Sequence, residues 1–131
     1  MELNVRLLRN EDYKTIAEWW KKWKWPVIPQ DNLPPTGLMV EKNGVSIVSG
    51  YIYITNSTGA LLEWIVSNPE YREKDRKKAI ELLIIAAENM LKDQGVKYIF
   101  SIGRNKNLIE THKKLGWMAE PKPSYELTKM I

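Results

Sequence analysis

With 131 residues and 44% apolar content, the chain can build one real core and has no room for a second domain. Zero cysteines exclude disulfides, thiolate metal sites and a cysteine nucleophile, and a single histidine argues against a histidine-based metal centre, so no metal is expected. The net charge of +4 suits an anionic cofactor as well as nucleic acid. No apolar run is long enough to span a bilayer and the first residues carry no signal-peptide pattern, which predicts a soluble, cytoplasmic protein with no membrane partner.

In chain order, Leu3 to Leu8 alternate as a first strand. Asn10 is placed to cap a helix whose first turn holds Glu11 and Asp12, and Tyr13, Ile16, Ala17, Trp20 and Trp23 follow at helical spacing up to Pro26. Lys24 to Thr36 is proline-rich and aperiodic, with Trp25, Val27, Ile28 and Leu33 as apolar anchors, and a loop of this length in a compact domain is often functional. Asn43-Gly44 between Leu38–Lys42 and Val45–Thr55 is a strong hairpin signal, and Asn56 to Gly59 turns into a further strand, Ala60 to Val66. From about Tyr71 to Asp93 a wide apolar stripe (Ala79, Leu82, Leu83, Ala86, Met90) predicts a helix packed deep on a sheet. Val96 to Ile102 is strand-like, Asn105 to Leu115 is a short helix stopped by Gly116, and Trp117–Ala119 and Ser124–Met130 are expected as two final strands. The order β-α-β-β-β-α-β-α-β-β predicts a mixed α/β sheet with helices on both faces, in one domain over residues 1–131.

The stretch that carries the chemistry is EWIVSNPEYREKDRKK, Glu63 to Lys78. A strand breaks at Asn68-Pro69 and feeds the start of the long helix, where the first amides have no internal partner and the dipole favours an anion. Arg72, Lys74, Arg76 and Lys77 crowd that junction, and a diphosphate is the expected ligand. The alternative is a solvated face of mixed charge, since Glu73/Lys77 and Lys74/Lys78 are ordinary (i, i+4) neighbours. Glu63 stands alone in an apolar strand, where a carboxylate is hydrated, paired or raised in pKa. It is either a general base for an amine or a carboxylate hydrogen-bonded to a tyrosine or lysine on the sheet, such as Tyr51 or Tyr53. Trp20 and Trp23 fit the core stripe of their helix, whereas Trp19 and Trp25 fall off it and, with Tyr51, are the candidates for a substrate wall.

Element order and spacing together resemble the GNAT N-acetyltransferase family. Glu63, Pro69, Tyr71 and Arg72 fall at the relative spacings of that family's signature from fourth strand to pyrophosphate loop, and Asn105 with His112 to Trp117 (HKKLGW) matches its second motif. His112 takes the family's tyrosine position and Trp117 its phenylalanine position. The family's loop, Arg/Gln-x-x-Gly-x-Gly/Ala, is degenerate here: Asp75 and Lys77 stand where small residues are usual. The small size also resembles short GNAT-like proteins of phage genomes.

The resemblance implies an acetyl-CoA-dependent N-acetyltransferase in which an amine attacks directly within a ternary complex. It places the pyrophosphate on amides around Lys74, Asp75, Arg76, Lys77 and Lys78, with Arg72 beside them. The pantetheine runs as a false strand along Ile65, Val66 and Ser67, with Asn105 on the pantetheine or capping its helix. Glu63 is the base, directly or through a water, and His112 the acid for the departing thiolate or a packing residue. The acceptor is a small-molecule or protein amine, and the chain a monomer or homodimer. The rival reading is a GNAT-shaped binding or inhibitory module without catalysis, resting on Asp75, Lys77 and His112. A nucleic-acid binder is disfavoured because the basic helix start and the tryptophan cluster are far apart in the chain and acids intersperse both halves.

Overall fold

The computed structural model describes residues 2–131. Five strands form one sheet: β1 (Asn4–Leu7), β2 (Thr36–Lys42), β3 (Val45–Ile54), β4 (Gly59–Ser67) and β5 (Tyr98–Phe100), ordered β1-β2-β3-β4-β5. All neighbours are antiparallel except β4 and β5, which run parallel because α2 (Arg76–Asp93) crosses over between them. The remaining helices are α1 (Asp12–Lys22) and α3 (Lys106–Lys114).

The pleat of β2 separates two cores. Leu38 and Val40 point to the side of α2, where Ile47, Ile52, Leu62, Leu83 and Ile84 complete a buried layer. Met39, between them, points the other way and packs with Ile16, Trp19, Trp20, Tyr51 and Val66 beneath α1. Helices therefore cover both faces, as the mixed α/β reading expects. The hairpin at Asn43-Gly44 forms with φ of 53° and 76°, the left-handed pair that a two-residue turn between twisted strands requires.

Four expectations change. Asn10 does not cap α1; its Oδ1 accepts from Gln30 Nε2 at 2.8 Å, and Asp12 instead holds the helix start by accepting from the Arg9 amide at 2.7 Å and pairing with Arg6. Arg6 draws the Asp12 carboxyl below its ordinary pKa. The long helix begins at Arg76, five residues after Tyr71, because Asn68 closes a turn that accepts from the Glu70 and Tyr71 amides and keeps residues 71–75 out of the helix. β5 keeps only Tyr98–Phe100 of the expected Val96–Ile102. The two final strands do not form: residues 118–131 carry no regular structure and their side chains are exposed. Pro121 and Pro123 remove two amide donors from that segment, and β5 offers it only a three-residue edge.

Candidate active site

The site forms where β4 leaves β5. Their pairing ends at Leu61–Phe100, two residues before Glu63, and beyond it the strands diverge. On its other edge β4 carries a bulge. Between the pairs Ser49–Val66 and Tyr51–Glu63, a single residue of β3, Gly50, faces two of β4, Trp64 and Ile65. Trp64 absorbs the extra residue with φ of 58°, a conformation costly for a side chain of this size. Its indole is fixed by donating from Nε1 to the Tyr53 hydroxyl at 2.8 Å and by the Arg104 guanidinium 5.0 Å from its ring centre. A tertiary clamp thus holds the bulge against its local strain.

The divergence opens a cleft of about 710 Å³. Ile65 and Ser67 line it from β4, Arg76, Lys77 and Ile80 from α2, and Asn105, Leu108 and Thr111 from α3 and its cap, with Trp23 and Trp25 at its side. Glu63 is buried, 5% exposed. Its Oε2 accepts from the Ile102 amide at 3.1 Å, and its Oε1 has no partner among the described residues. Burial pushes the Glu63 carboxyl up to about 7; the Ile102 amide and Arg104 pull it down, and Glu126 adds to the rise. Neither alternative tyrosine partner bonds it. Tyr51 lies opposite Glu63 in the register but makes no hydrogen bond to it, and the Tyr53 hydroxyl serves Trp64.

At the start of α2, Ala79 makes the first helical bond, to Asp75 O at 2.9 Å, and the Arg76 amide bonds Glu73 O at 3.2 Å. The amides of Lys77 and Lys78 have no acceptor among the described residues. Asp75 does not cap them. Its Oδ2 is 2.8 Å from Lys42 Nζ and its Oδ1 accepts from the Tyr71 hydroxyl at 2.6 Å, so the carboxylate faces a separate groove. Lys42 first, then Tyr71, hold Asp75 below its ordinary pKa, and the same bond pushes the Tyr71 phenol up to about 12. Lys42 carries no signal in the sequence, since only the register of β2 brings it 33 residues along to Asp75.

The other expected site residues divide. Arg72, Lys74, Lys77 and Lys78 are exposed at the junction. Arg76 instead folds inward: Nη2 donates to Ser67 Oγ at 2.7 Å, and its guanidinium lies 5.3 Å from the Trp23 ring centre. Ser67 O accepts from Trp23 Nε1 at 2.7 Å, so this end of the β4 edge is already bonded, while Val66 is buried beneath α1. Trp25 reaches the cleft, stacked on Trp23 at 5.9 Å.

Trp19 does not reach the cleft. It is 4% exposed in the core with Tyr51, and Trp23, expected as core, lines the cleft instead, because α1 turns a different edge to β4 than its helical stripe indicates. His112 is 7% exposed and outside the cleft lining; its Nδ1 donates to Leu108 O at 2.9 Å and its ring meets Trp117 edge-on at 4.7 Å. Its neighbour Thr111 faces the cleft. Asn105 caps α3, its Oδ1 accepting from the Asn107 and Leu108 amides at 2.8 and 3.2 Å. An Asn105→Ala variant is expected to lose about 1 kcal/mol of stability, read as a lower urea midpoint at unchanged slope.

No family model matches the sequence, and no curated protein does. Solved structures do match. The ribosomal-protein-S18-alanine N-acetyltransferase of Escherichia coli superposes with a TM-score of 0.72 at 15% identity, over 88% of this chain and 77% of that one. The ribosomal-protein-alanine N-acetyltransferase of Brucella melitensis biovar Abortus 2308 gives 0.71 at 13% identity, over 98% and 100%. PaiA N-acetyltransferase of Thermoplasma acidophilum, solved with coenzyme A, gives 0.67 at 20% identity over 94% of each chain. The chain has the GNAT fold. In this GNAT fold the missing final strands leave β5 at an open edge of the sheet. Among the described residues no helix is long and apolar enough to cross a membrane.

Proposed function

We propose that the chain is an acetyl-CoA-dependent N-acetyltransferase acting on an amine by direct attack in a ternary complex. The observation that carries this reading is a helix start with two unpartnered amides at the edge of a cleft that Lys77 lines, on the same strand-to-helix unit as the buried Glu63 carboxyl, whose Oε1 has no partner among the described residues. Acetyl-CoA supplies the activated acyl group. The residues present fit it: the Lys77 and Lys78 amides, with the exposed cations of Arg72, Lys74, Lys77 and Lys78, would hold an anionic bridge. Asp75 supports the reading, because its carboxylate is drawn to Lys42 and away from those amides. That removes one of the three grounds for a catalytically inactive module.

Glu63 takes the proton of the bound amine through Oε1, directly or by one water, and its carboxyl near 7 is matched to that task. The amine nitrogen then bonds to the acyl carbon as the carbon–sulfur bond breaks, and solvent protonates the leaving thiolate. Ile65 lines the path of the donor, Asn105 organises the start of α3 beside it, and Trp25 stacked on Trp23 walls the cleft. His112 supports the packing of α3.

Calorimetric titration with acetyl-CoA, followed by thiol release across an amine panel, tests the reading. Binding is expected to weaken with added salt and to fall by about ten-fold or more in the K77E/K78E variant, the size of lost charge-assisted bonds. No heat with acetyl-CoA together with no turnover on any amine would end it.

A further inference from the structure

Close to Glu63 lies a polar pair that the acyl-transfer reading leaves unused. Arg104 follows β5, sits over the Trp64 ring with its guanidinium carbon 5.0 Å from the ring centre, and pairs with Glu126 from the C-terminal segment. Both charges are close enough to Glu63 to act on its carboxyl, Arg104 lowering and Glu126 raising its pKa. Both side chains are exposed, yet Arg104 has a support that an ordinary surface arginine lacks. Trp64, the platform under Arg104, is the strained bulge residue next to Glu63 and is pinned by Tyr53, so the guanidinium has a fixed seat beside the buried carboxyl. Its partner belongs to a segment with almost no other anchorage: Tyr125 and Leu127, on either side of Glu126, are 92% and 90% exposed. Among the described residues Glu126 makes the one side-chain bond or ion pair recorded between residues 118–131 and the rest of the chain.

A carboxylate on a weakly held segment, seated on a rigid arginine beside the base, is what a removable stand-in for a substrate carboxylate looks like. We infer that Arg104 anchors a carboxylate carried by the acceptor amine, and that Glu126 occupies that anchor until the acceptor displaces it. The inference rests on the acyl-transfer reading above and names its substrate class as amino carboxylates, such as amino acids. The planar guanidinium accepts a carboxylate through paired N–H donors, while Glu63 Oε1 is left for the amine. Exchange of one carboxylate for another keeps the charge around Glu63 constant, whereas a neutral amine leaves Glu126 in place and gains nothing from Arg104. A cationic acceptor lying between Glu63 and Glu126 would need the opposite preference, and the experiment separates the two.

Steady-state acetylation is compared for glycine, β-alanine and 4-aminobutyrate against their primary amides, with wild type, R104Q, R104K and E126Q. In wild type at least one acid is expected to exceed its amide about ten-fold in kcat/KM. R104Q brings that ratio toward one, R104K restores part of it, and E126Q lowers KM for the acid by removing the competitor. Amides equal to or better than every acid in wild type, or an acid-to-amide ratio unmoved by R104Q, would overturn the inference while leaving acyl transfer standing. A binding measurement keeps the two readings apart. Butyrate, which has no amine, is titrated while the Arg104 Nε–Hε resonance is followed by NMR. A saturable shift of that resonance is expected even if no amine is acetylated, reached at lower butyrate concentration in E126Q, and no shift in wild type or E126Q would overturn the anchor by itself.

Discussion

Replacing Glu63 with Gln is expected to lower the acetylation rate by about 10²–10⁴-fold, the usual worth of a positioned general base. The same change is expected to stabilise the fold at alkaline pH. The folded carboxyl titrates at about 7, above its ordinary 4.5, because burial disfavours the charged form. Between those values the folded state holds a proton that the unfolded chain has released. Stability contributed by this group is therefore full below 4.5, falls as pH rises through the window, and is gone above about 7. At about 1.4 kcal/mol for each pH unit the loss is up to about 3 kcal/mol, and the glutamine variant, neutral throughout, does not suffer it. Urea unfolding at pH 5 and pH 8 reads this directly: wild type weakens between them more than E63Q. The rate profile gives the kinetic counterpart, with kcat/KM in wild type rising through about pH 7 to a plateau. An E63Q enzyme that acetylates at the wild-type rate would remove Glu63 from the chemistry, whatever its effect on stability.

Gly37→Ala is expected to cost about 1–3 kcal/mol and to impair the site from a distance. A Cβ at Gly37 would lie 2.4 Å from Leu8 Cδ1 and 2.7 Å from Gly50 O. The leucine can turn aside, but the Gly50 carbonyl is main chain in the middle of the sheet, so β2 and β3 must part. Gly50 is the residue that faces the Trp64–Ile65 bulge, and its own surroundings are tight, with Leu83 Cδ2 at 3.2 Å and Ile65 Cγ1 at 3.3 Å from the position a Cβ would take. The displacement reaches β4 where Glu63 and Trp64 are set, so kcat/KM is expected to fall together with the urea midpoint. In contrast, a Cβ at Gly44 meets nothing within 4 Å, and Gly44→Ala has only the left-handed φ of 76° to overcome. It is expected to lower stability by about 1 kcal/mol without touching the rate.

Much of this architecture lay in local pattern. The Asn43-Gly44 turn, the alternation of Leu38, Met39 and Val40, the stripe on the long helix and the cap at Asn105 are decided by residues within a few positions of each other, so they can be read without a fold. Glu63 stood out for a similar reason: one carboxyl in an apolar strand has few physical outcomes. Trp19 and Trp23 exchanged roles because helical spacing gives the stripe of α1 but not which edge of it the sheet covers. The final strands failed because a strand's stability depends on a partner edge that no local pattern reports.

Near-neighbour pattern alone thus accounts for the α/β alternation, the one acid within the apolar strand at Glu63 and the basic helix start. Long-range packing sets the rest: Asp75 turns to Lys42, β4 bulges at Trp64, the Lys77 and Lys78 amides find no acceptor among the described residues, and Arg104 meets Glu126 near Glu63. The division is physical. Periodicity and capping act between near neighbours, whereas a charge finds its partner across the register of a sheet or the fold of a loop, where separation along the chain carries no information.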